Sequence, residues 1–129
     1  MSRGRSLVDA GTRRRLFELQ AELCAALADA TRLEILDLLR GGERTVADLM
    51  AALGLRQNNV SQHLAYLRKV GAVEGERRGT YVHYRLAMPA LLEACDAVRA
   101  ALAQRMAAQA DEAATVRRAL APTGSRRRG

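Results

Sequence analysis

The stretch that decides the fold lies at residues 45–71 and reads TVADLMAALGLRQNNVSQHLAYLRKVG. Apolar residues recur in it at helical spacing, first at Val46, Leu49, Met50 and Leu53 and then at Val60, Leu64 and Leu67. Gly54 separates the two sets and stands where the end of a helix favours a residue that tolerates positive φ. The pattern predicts two short amphipathic helices with a tight joint, which is the layout of a helix-turn-helix.

The second of these helices leaves a polar face that points away from its apolar residues. That face carries Gln57, Asn58, Ser61, Gln62 and His63. A helix-turn-helix lays its second helix in the major groove of DNA, and amide side chains donate and accept hydrogen bonds together, which suits the edges of bases. We therefore expect Gln57, Asn58 and Gln62 to contact bases. Ser61 and His63 are expected nearer the DNA backbone, although a histidine at this position can equally serve in helix packing.

Two short runs of alternating residues follow, at 72–77 and 81–86, around a turn that contains Gly79. They predict a β-hairpin. A hairpin directly after a helix-turn-helix is the wing of a winged helix, and its basic tip would reach a neighbouring phosphate or the minor groove. We expect the hairpin tyrosines, Tyr81 and Tyr84, to be packing residues.

The charge distribution supports DNA binding better than the total charge does. The chain has a formal net charge of +7, but ten arginines lie in the two ends, 1–15 and 117–129, which leaves residues 16–116 with a net charge of −2. Within that body, residues 56–85 carry a net charge of +4. The basic zone therefore coincides with the predicted recognition helix and wing. Its candidate DNA contacts are Arg56, Arg68, Arg77 and Arg78.

Two longer helices are predicted outside this region, from about 12 to 27 and from Pro89 to about 118. Their apolar stripes contain Leu16, Leu19, Leu23 and Leu27 in the first, and Leu91, Leu92, Cys95, Val98, Leu102 and Met106 in the last. A compact winged helix cannot cover both stripes, so we expect a C2 homodimer built through the first and last helices. The predicted fold is mainly α with a small β-hairpin, a winged helix-turn-helix.

Composition and length favour a single folded domain with two basic ends. We predict a flexible basic arm at 1–12, a DNA-binding and dimerisation domain at 13–110, and a basic, disordered tail at 111–129. No run approaches 18 apolar residues and the N-terminus lacks the apolar stretch of a signal peptide, so we expect a cytoplasmic protein without membrane association. Its two cysteines are then expected to be thiols rather than a permanent disulfide.

Three motifs resemble the winged-helix repressors of the ArsR/SmtB family. They are DATRLEILDLL at 29–39, VSQHLAYLRKVGAV at 60–73 and RRGTYVHYRL at 77–86, and the resemblance covers about residues 15–108. It implies a bacterial metal or thiol sensor that is usually a homodimer and leaves its operator when an inducer binds. Family members commonly carry Ser or Thr where this chain has Arg56. Because arginine cannot accept a backbone N–H, we expect that helix cap to be lost or shifted.

The resemblance also directs attention to the inducer site. Zinc-sensing relatives use histidines and carboxylates on the last helix, which has no histidine here, and other relatives carry a cysteine pair where this chain has Thr45-Val46-Ala47-Asp48. What remains is Cys24 and Cys95, on the first and last helices.

Two thiolates suit soft metal ions, and linear coordination by two sulfurs suits Hg(II) in particular. As(III) usually takes three sulfurs and would need another ligand, and Cd(II) is a further soft candidate. A dithiol can instead sense oxidants or persulfides by forming a bridge. The structural alternative is that both cysteines are small apolar core residues.

No glycine-rich phosphate loop and no nucleophile–base arrangement is visible, so we expect no enzyme. The predicted function is a repressor that occupies double-stranded operator DNA until a thiophilic inducer binds Cys24 and Cys95. Two alternatives stay open: a DNA-binding protein that has no inducer, and a helical interaction module that has lost its recognition helix. The local +4 charge of residues 56–85 argues against the second.

Overall fold

The computed structural model describes residues 9–122. Its elements are α1 (Ala10–Leu27), α2 (Ala30–Leu39), β1 (Arg44–Thr45), α3 (Val46–Leu53), α4 (Gln57–Lys69), β2 (Val73–Arg78), β3 (Tyr81–Leu86) and α5 (Ala90–Leu120). The strands form one antiparallel sheet in the order β1-β3-β2. This confirms the prediction of a mainly helical protein with a small hairpin, and it adds the two-residue strand β1, which the sequence did not indicate.

The described residues fall into two compact units that divide between Leu92 and Glu93. The core of the first unit is built from one face each of α2, α3 and α4, together with the start of β2. Its buried members are Ile35, Leu36, Leu39, Leu49, Val60, Leu64, Leu67, Ala72, Val73 and Leu92. Each fully buried leucine or valine contributes about 1.5–3 kcal/mol through removal of its surface from water. This packing fixes the rotation of α4 about its own axis.

Local capping interactions set the ends of the helices around this core. Asp29 caps α2, since its Oδ1 accepts from the backbone N–H of Arg32 at 3.0 Å, and this hydrogen bond lowers the pKa of Asp29. At the start of α3, the backbone N–H of Thr45 donates to Asp48 Oδ2 at 2.9 Å, and the N–H of Asp48 donates to Thr45 Oγ1 at 3.2 Å. Gly54 ends α3 in the left-handed region at φ 68°, as predicted.

The hairpin follows the predicted strands within one residue. Its turn is Gly79-Thr80, with φ 64° at Gly79, the positive value that a two-residue hairpin turn requires at its first central position. Tyr84 packs against the core as predicted, and it lies opposite Gly75, where a Cβ would approach its ring to 2.9 Å. The prediction for Tyr81 was wrong: it is 61% exposed because it pairs with Arg78 at the tip of the hairpin, beyond the reach of the core.

Both outer helices extend beyond the boundaries predicted for the folded domain, 13–110. Helix α1 starts at Ala10 because Asp9 caps it, with the N–H of Thr12 donating to Asp9 Oδ1 at 2.7 Å. Helix α5 runs on to Leu120, slightly past the helix end predicted at about 118, so residues 111–120 of the predicted disordered tail are helical. The physical reason is that alanine, arginine and glutamate favour helix and that no proline occurs between Pro89 and Pro122. The outermost parts of both predicted ends, 1–8 and 123–129, lie outside the described residues.

The reciprocal hydrogen bonds between Thr45 and Asp48 form the capping box of α3. They predict how the stability of the fold changes at acid pH. The hydrogen bond from the Thr45 N–H holds the pKa of Asp48 below its ordinary value of 3.8. A carboxyl with a lowered folded-state pKa stabilises the fold above its unfolded value, and this contribution is lost as the pH falls through the folded value. We expect Asp48→Asn to lower stability at pH 7 and to flatten the acid limb of a plot of unfolding free energy against pH, measured by urea denaturation.

Thr45→Ala tests the other half of the same capping box. It is expected to cost about 1 kcal/mol of unfolding free energy at neutral pH. Thr45→Ser keeps the accepting oxygen and is the matched control, so equal losses for the two variants would contradict a capping role.

Candidate nucleic-acid interface

Helix α4 presents the polar face that the sequence predicts. Four of the predicted contacts on this helix, Gln57, Asn58, Ser61 and Gln62, are exposed, as is Arg68. Val60, Leu64 and Leu67 are buried on the other side, so these polar side chains are held outward by the packing of their own helix. His63 differs from them, since it is half-buried and turns towards α2.

The beginning of α4 lacks the usual side-chain cap. Arg56 occupies the N-cap position in an extended conformation without a capping hydrogen bond, as expected from its chemistry. Within the first turn, Asn58 Oδ1 accepts from the N–H of Asn59 at 3.0 Å. A shallow depression of about 420 Å³ lies here, lined by Arg56, Gln57, Asn58 and Ser61. A helix N-terminus with a neighbouring arginine favours an anion such as a phosphate.

A second cleft connects this region with the wing. Its volume is about 450 Å³, and residues from α4 lie on its wall together with residues from the hairpin. Gln57 and Ser61 come from α4, while Tyr81, Val82 and Tyr84 come from β3. The structure thus brings the first turns of the recognition helix and the wing to one surface. Tyr81, which was expected to be a packing residue, is part of this surface instead.

One face of the wing carries a network of ion pairs. Arg78 Nη2 lies 2.6 Å from Glu43 Oε1 and 3.3 Å from Glu76 Oε1, and Arg85 Nε lies 2.9 Å from Glu74 Oε1. The hydrogen bond from Arg78 lowers the pKa of Glu43, and the same bond raises the pKa of Arg78. Glu43 was missed by the sequence analysis because it stands 35 residues before its partner and no local pattern connects them.

Arg77, the other arginine at the tip of the hairpin, lies on the opposite face of the sheet from Arg78. Successive residues of a strand point to opposite faces of the sheet, so Arg77 shares its face with its register partner Val82, which lines the cleft. Among the residues that the structure describes, Arg77 has no ion-pair partner. Of the two predicted wing contacts, Arg77 is therefore available to a phosphate, whereas Arg78 is already engaged by carboxylates.

The two cysteines are free thiols. Cys24 is exposed near the end of α1, in the first unit, and Cys95 is half-buried on α5, in the second. Within residues 9–122, no group of three histidine, cysteine or carboxylate side chains is gathered in a way that could hold a metal ion. Each cysteine offers one soft sulfur donor. In the same part of the chain, no helix has the length and apolar character needed to cross a membrane.

Comparison with known proteins gives a consistent result. Residues 29–74 match the model of the family described as bacterial regulatory protein, arsR family. The HTH-type transcriptional regulator Rv0081 of Mycobacterium tuberculosis is 37% identical over 90 residues, which cover 69% of this chain and 79% of the relative. The arsenical resistance operon repressor of Escherichia coli (strain K12) is 46% identical over 71 residues, 54% of this chain and 61% of the relative.

Solved structures agree with these sequence relatives. The crystal structure of Rv0081 has a TM-score of 0.66 and 34% identity, covering 74% of this chain and 96% of that one. The solution structure of Mb0332 from Mycobacterium bovis, described as a homodimeric winged helix-turn-helix DNA-binding domain, has a TM-score of 0.64 and 37% identity, with coverages of 71% and 87%. These relatives are described as regulators or DNA-binding domains, which confirms the expectation that the chain is not an enzyme.

The contrast between Arg77 and Arg78 can be measured on DNA. A cation that contacts a phosphate releases a counterion, so its loss reduces the slope of log K against log salt concentration by roughly 0.9 per subunit. We expect Arg77→Ala to weaken binding to the protein's own promoter and to reduce this slope. Arg78→Ala should leave the slope nearly unchanged. Equal changes in slope for the two variants, in fluorescence anisotropy titrations over a salt series, would contradict this assignment.

Proposed function

Because the chain belongs to the arsR family of bacterial regulatory proteins, we propose that it is a homodimeric repressor that an inducer removes from its operator. The observation that carries the proposal is the geometry of α4, whose apolar side is buried while its polar side lines a cleft shared with the wing. Such a helix enters the major groove of DNA. The proposed place of action is the cytoplasm, where the operator lies.

The predicted DNA contacts other than His63 have the following proposed roles in this complex. Gln57, Asn58 and Gln62 contact base edges, for which their amides are suited. Ser61 and the uncapped start of α4 lie against phosphates, with Arg56 adding positive charge. Arg68 and Arg77 supply further phosphate contacts from the helix and the wing, and Arg78 serves mainly to hold the wing through Glu43.

The homodimer is supported by apolar side chains that the described chain leaves uncovered. On α1 these are Leu16, Phe17 and Leu19, and on α5 they are Val98, Leu102 and Met106. Exposed apolar stripes of this length are typical of protein interfaces, and the relative Mb0332 is described as homodimeric. A C2 dimer through these helices would present two recognition helices about one DNA turn apart, so the operator is expected to be roughly palindromic.

The proposed interface predicts a specific effect of charge on α5. Leu102 is 54% exposed, and Leu102→Glu would bury a carboxylate in the interface, which is strongly unfavourable. We expect this variant to sediment as a monomer and to lose most of its operator affinity. Gln104→Glu introduces the same charge on the other side of the helix and should remain dimeric. A dimeric Leu102→Glu protein would exclude this face of α5 from the interface.

For the inducer, we propose a soft metal ion bound by Cys24 and Cys95, with Hg(II) favoured. The proposal is supported by the thiol chemistry of the only two cysteines in the chain and by the exposure of Cys24. As(III) and Cd(II) remain candidates, with As(III) needing a further ligand. A redox or persulfide response of the same dithiol is the competing proposal. A hundredfold loss of DNA affinity requires only about 2.7 kcal/mol of coupling, within the range of allosteric proteins.

A parallel titration separates these possibilities. The reduced protein on its own promoter is titrated with Hg(II), As(III), Cd(II), Zn(II) and persulfide, and DNA release is followed by anisotropy. We expect Hg(II) to release the DNA at the lowest concentration and excess dithiothreitol to restore binding. Cys24→Ser and Cys95→Ser should each abolish the response while leaving operator affinity without inducer intact.

Each remaining result of that titration identifies one alternative. Release by persulfide alone indicates a dithiol sensor, and indifference to every reagent indicates a DNA-binding protein without an inducer. If both serine variants still leave the DNA at the normal Hg(II) concentration, the cysteine site is wrong. A protein that shows no sequence-specific binding at low salt, and in which Gln57→Ala has no effect, would instead be an interaction module.

A further inference from the structure

Arg32, on α2, makes three contacts with residues outside its own helix. Its Nε donates to the backbone carbonyl of Ala26 at the end of α1. Its guanidinium carbon lies 4.4 Å from the centre of the Tyr66 ring, and its Nη1 lies 3.4 Å from His63 Nδ1. His63 and Tyr66 are three residues apart on α4 and so lie on neighbouring positions of one helix face. One guanidinium therefore contacts a full turn of the recognition helix.

The chemistry of arginine determines which protonation state of His63 fits this contact. A guanidinium has five N–H donors and no acceptor, so the Nδ1 atom that faces it must accept and cannot carry a proton. The proton of the neutral ring then resides on Nε2. Asp29 also faces this cluster: its Oδ1 accepts from the backbone N–H of Arg32 at 3.0 Å, and both His63 and Arg32 lie close enough to lower the pKa of its carboxyl.

We propose that Arg32 is a positioning residue that holds His63 as a neutral ring with its proton on Nε2. His63 then offers DNA a single uncharged donor, which suits an acceptor oxygen or nitrogen of a phosphate or a base edge. The DNA contact rests on the function proposed above, whereas the state of the ring is a property of the free protein. The role differs from that of Arg56 and Arg77, because an uncharged donor releases no counterion.

The state of the ring is measured first, without DNA. A long-range ¹H–¹⁵N correlation spectrum of the reduced protein at neutral pH is expected to show His63 neutral with the proton on Nε2. Arg32→Met should abolish this preference. Arg44→Met is the matched control, because Arg44 also donates from Nε to a backbone carbonyl, that of Leu38 at 3.2 Å, and it should leave the His63 signals unchanged. The proposal is overturned if the wild-type ring is an imidazolium, if its proton lies on Nδ1, or if Arg32→Met leaves the spectrum unchanged.

Operator binding provides the second readout. The amide nitrogen of glutamine reaches towards the place of Nε2, whereas that of asparagine lies nearer the place of Nδ1. We expect His63→Asn to weaken binding about five- to tenfold, as for one neutral hydrogen bond, and His63→Gln to recover most of this loss. Neither should change the salt slope. Equal losses for the two variants, or a slope reduced by about one, would overturn the uncharged donor.

Modified DNA distinguishes whether the acceptor that His63 contacts belongs to a phosphate or to a base. A phosphate contact predicts a loss on His63→Asn that is equal for operator and unrelated DNA and that disappears with a methylphosphonate at the contacted position. A base contact predicts a loss confined to the operator. If the wild-type protein binds no operator, the proposed function fails and the DNA contact fails with it, while the NMR result still decides the role of Arg32 towards His63.

Discussion

The burial of one side of α4 is the interaction on which the rest of the structure depends. Val60, Leu64 and Leu67 are almost completely removed from water among residues of α2 and α3. A helix has 3.6 residues per turn, so fixing three inward positions also fixes which residues face outward. The polar surface of the recognition helix is thus a consequence of core packing. Any change that rotates α4 would move every candidate base contact together.

The charge that the wing presents to a partner depends on which charged side chains pair with one another in the fold. The positive segment 56–85 has a net charge of +4 in the sequence, but Glu43 lies outside that segment and pairs with Arg78 in the fold. The wing is consequently less basic than the linear count suggests. Its free positive charge is concentrated at Arg77, on the face that continues into the cleft. The same composition with a different sheet register would have exposed the opposite arginine.

Helices α1, α2 and α4 are joined through a single side chain. Arg32 contacts the carbonyl of Ala26 in the last turn of α1 and the ring of Tyr66 on α4. Cys24 lies two residues before Ala26, within the same turn of α1. Cys24 is exposed whereas Ala26 is fully buried, so the two residues lie on different sides of α1 within the first unit. Packed side chains of this kind carry coupling between sites when they have two arrangements.

The sequence by itself determined the features that depend on local spacing. Helical periodicity, the Gly54 terminus and the alternating hairpin strands are encoded within a few residues of one another, so each was predicted close to its observed position. The missing cap at Arg56 was predicted for the same reason, because it follows from the chemistry of one side chain.

Only the tertiary structure decided the contacts between residues distant in the chain. The pairing of Glu43 with Arg78, and the contact of Arg32 with His63 over 31 residues, leave no trace in local pattern. The exposure of Tyr81 depends on where the hairpin leaves the core, which the alternation of the strand does not reveal. Periodicity specifies which side of an element is apolar. The packing of elements against one another then specifies which polar groups meet, since pair contacts depend on distance in space.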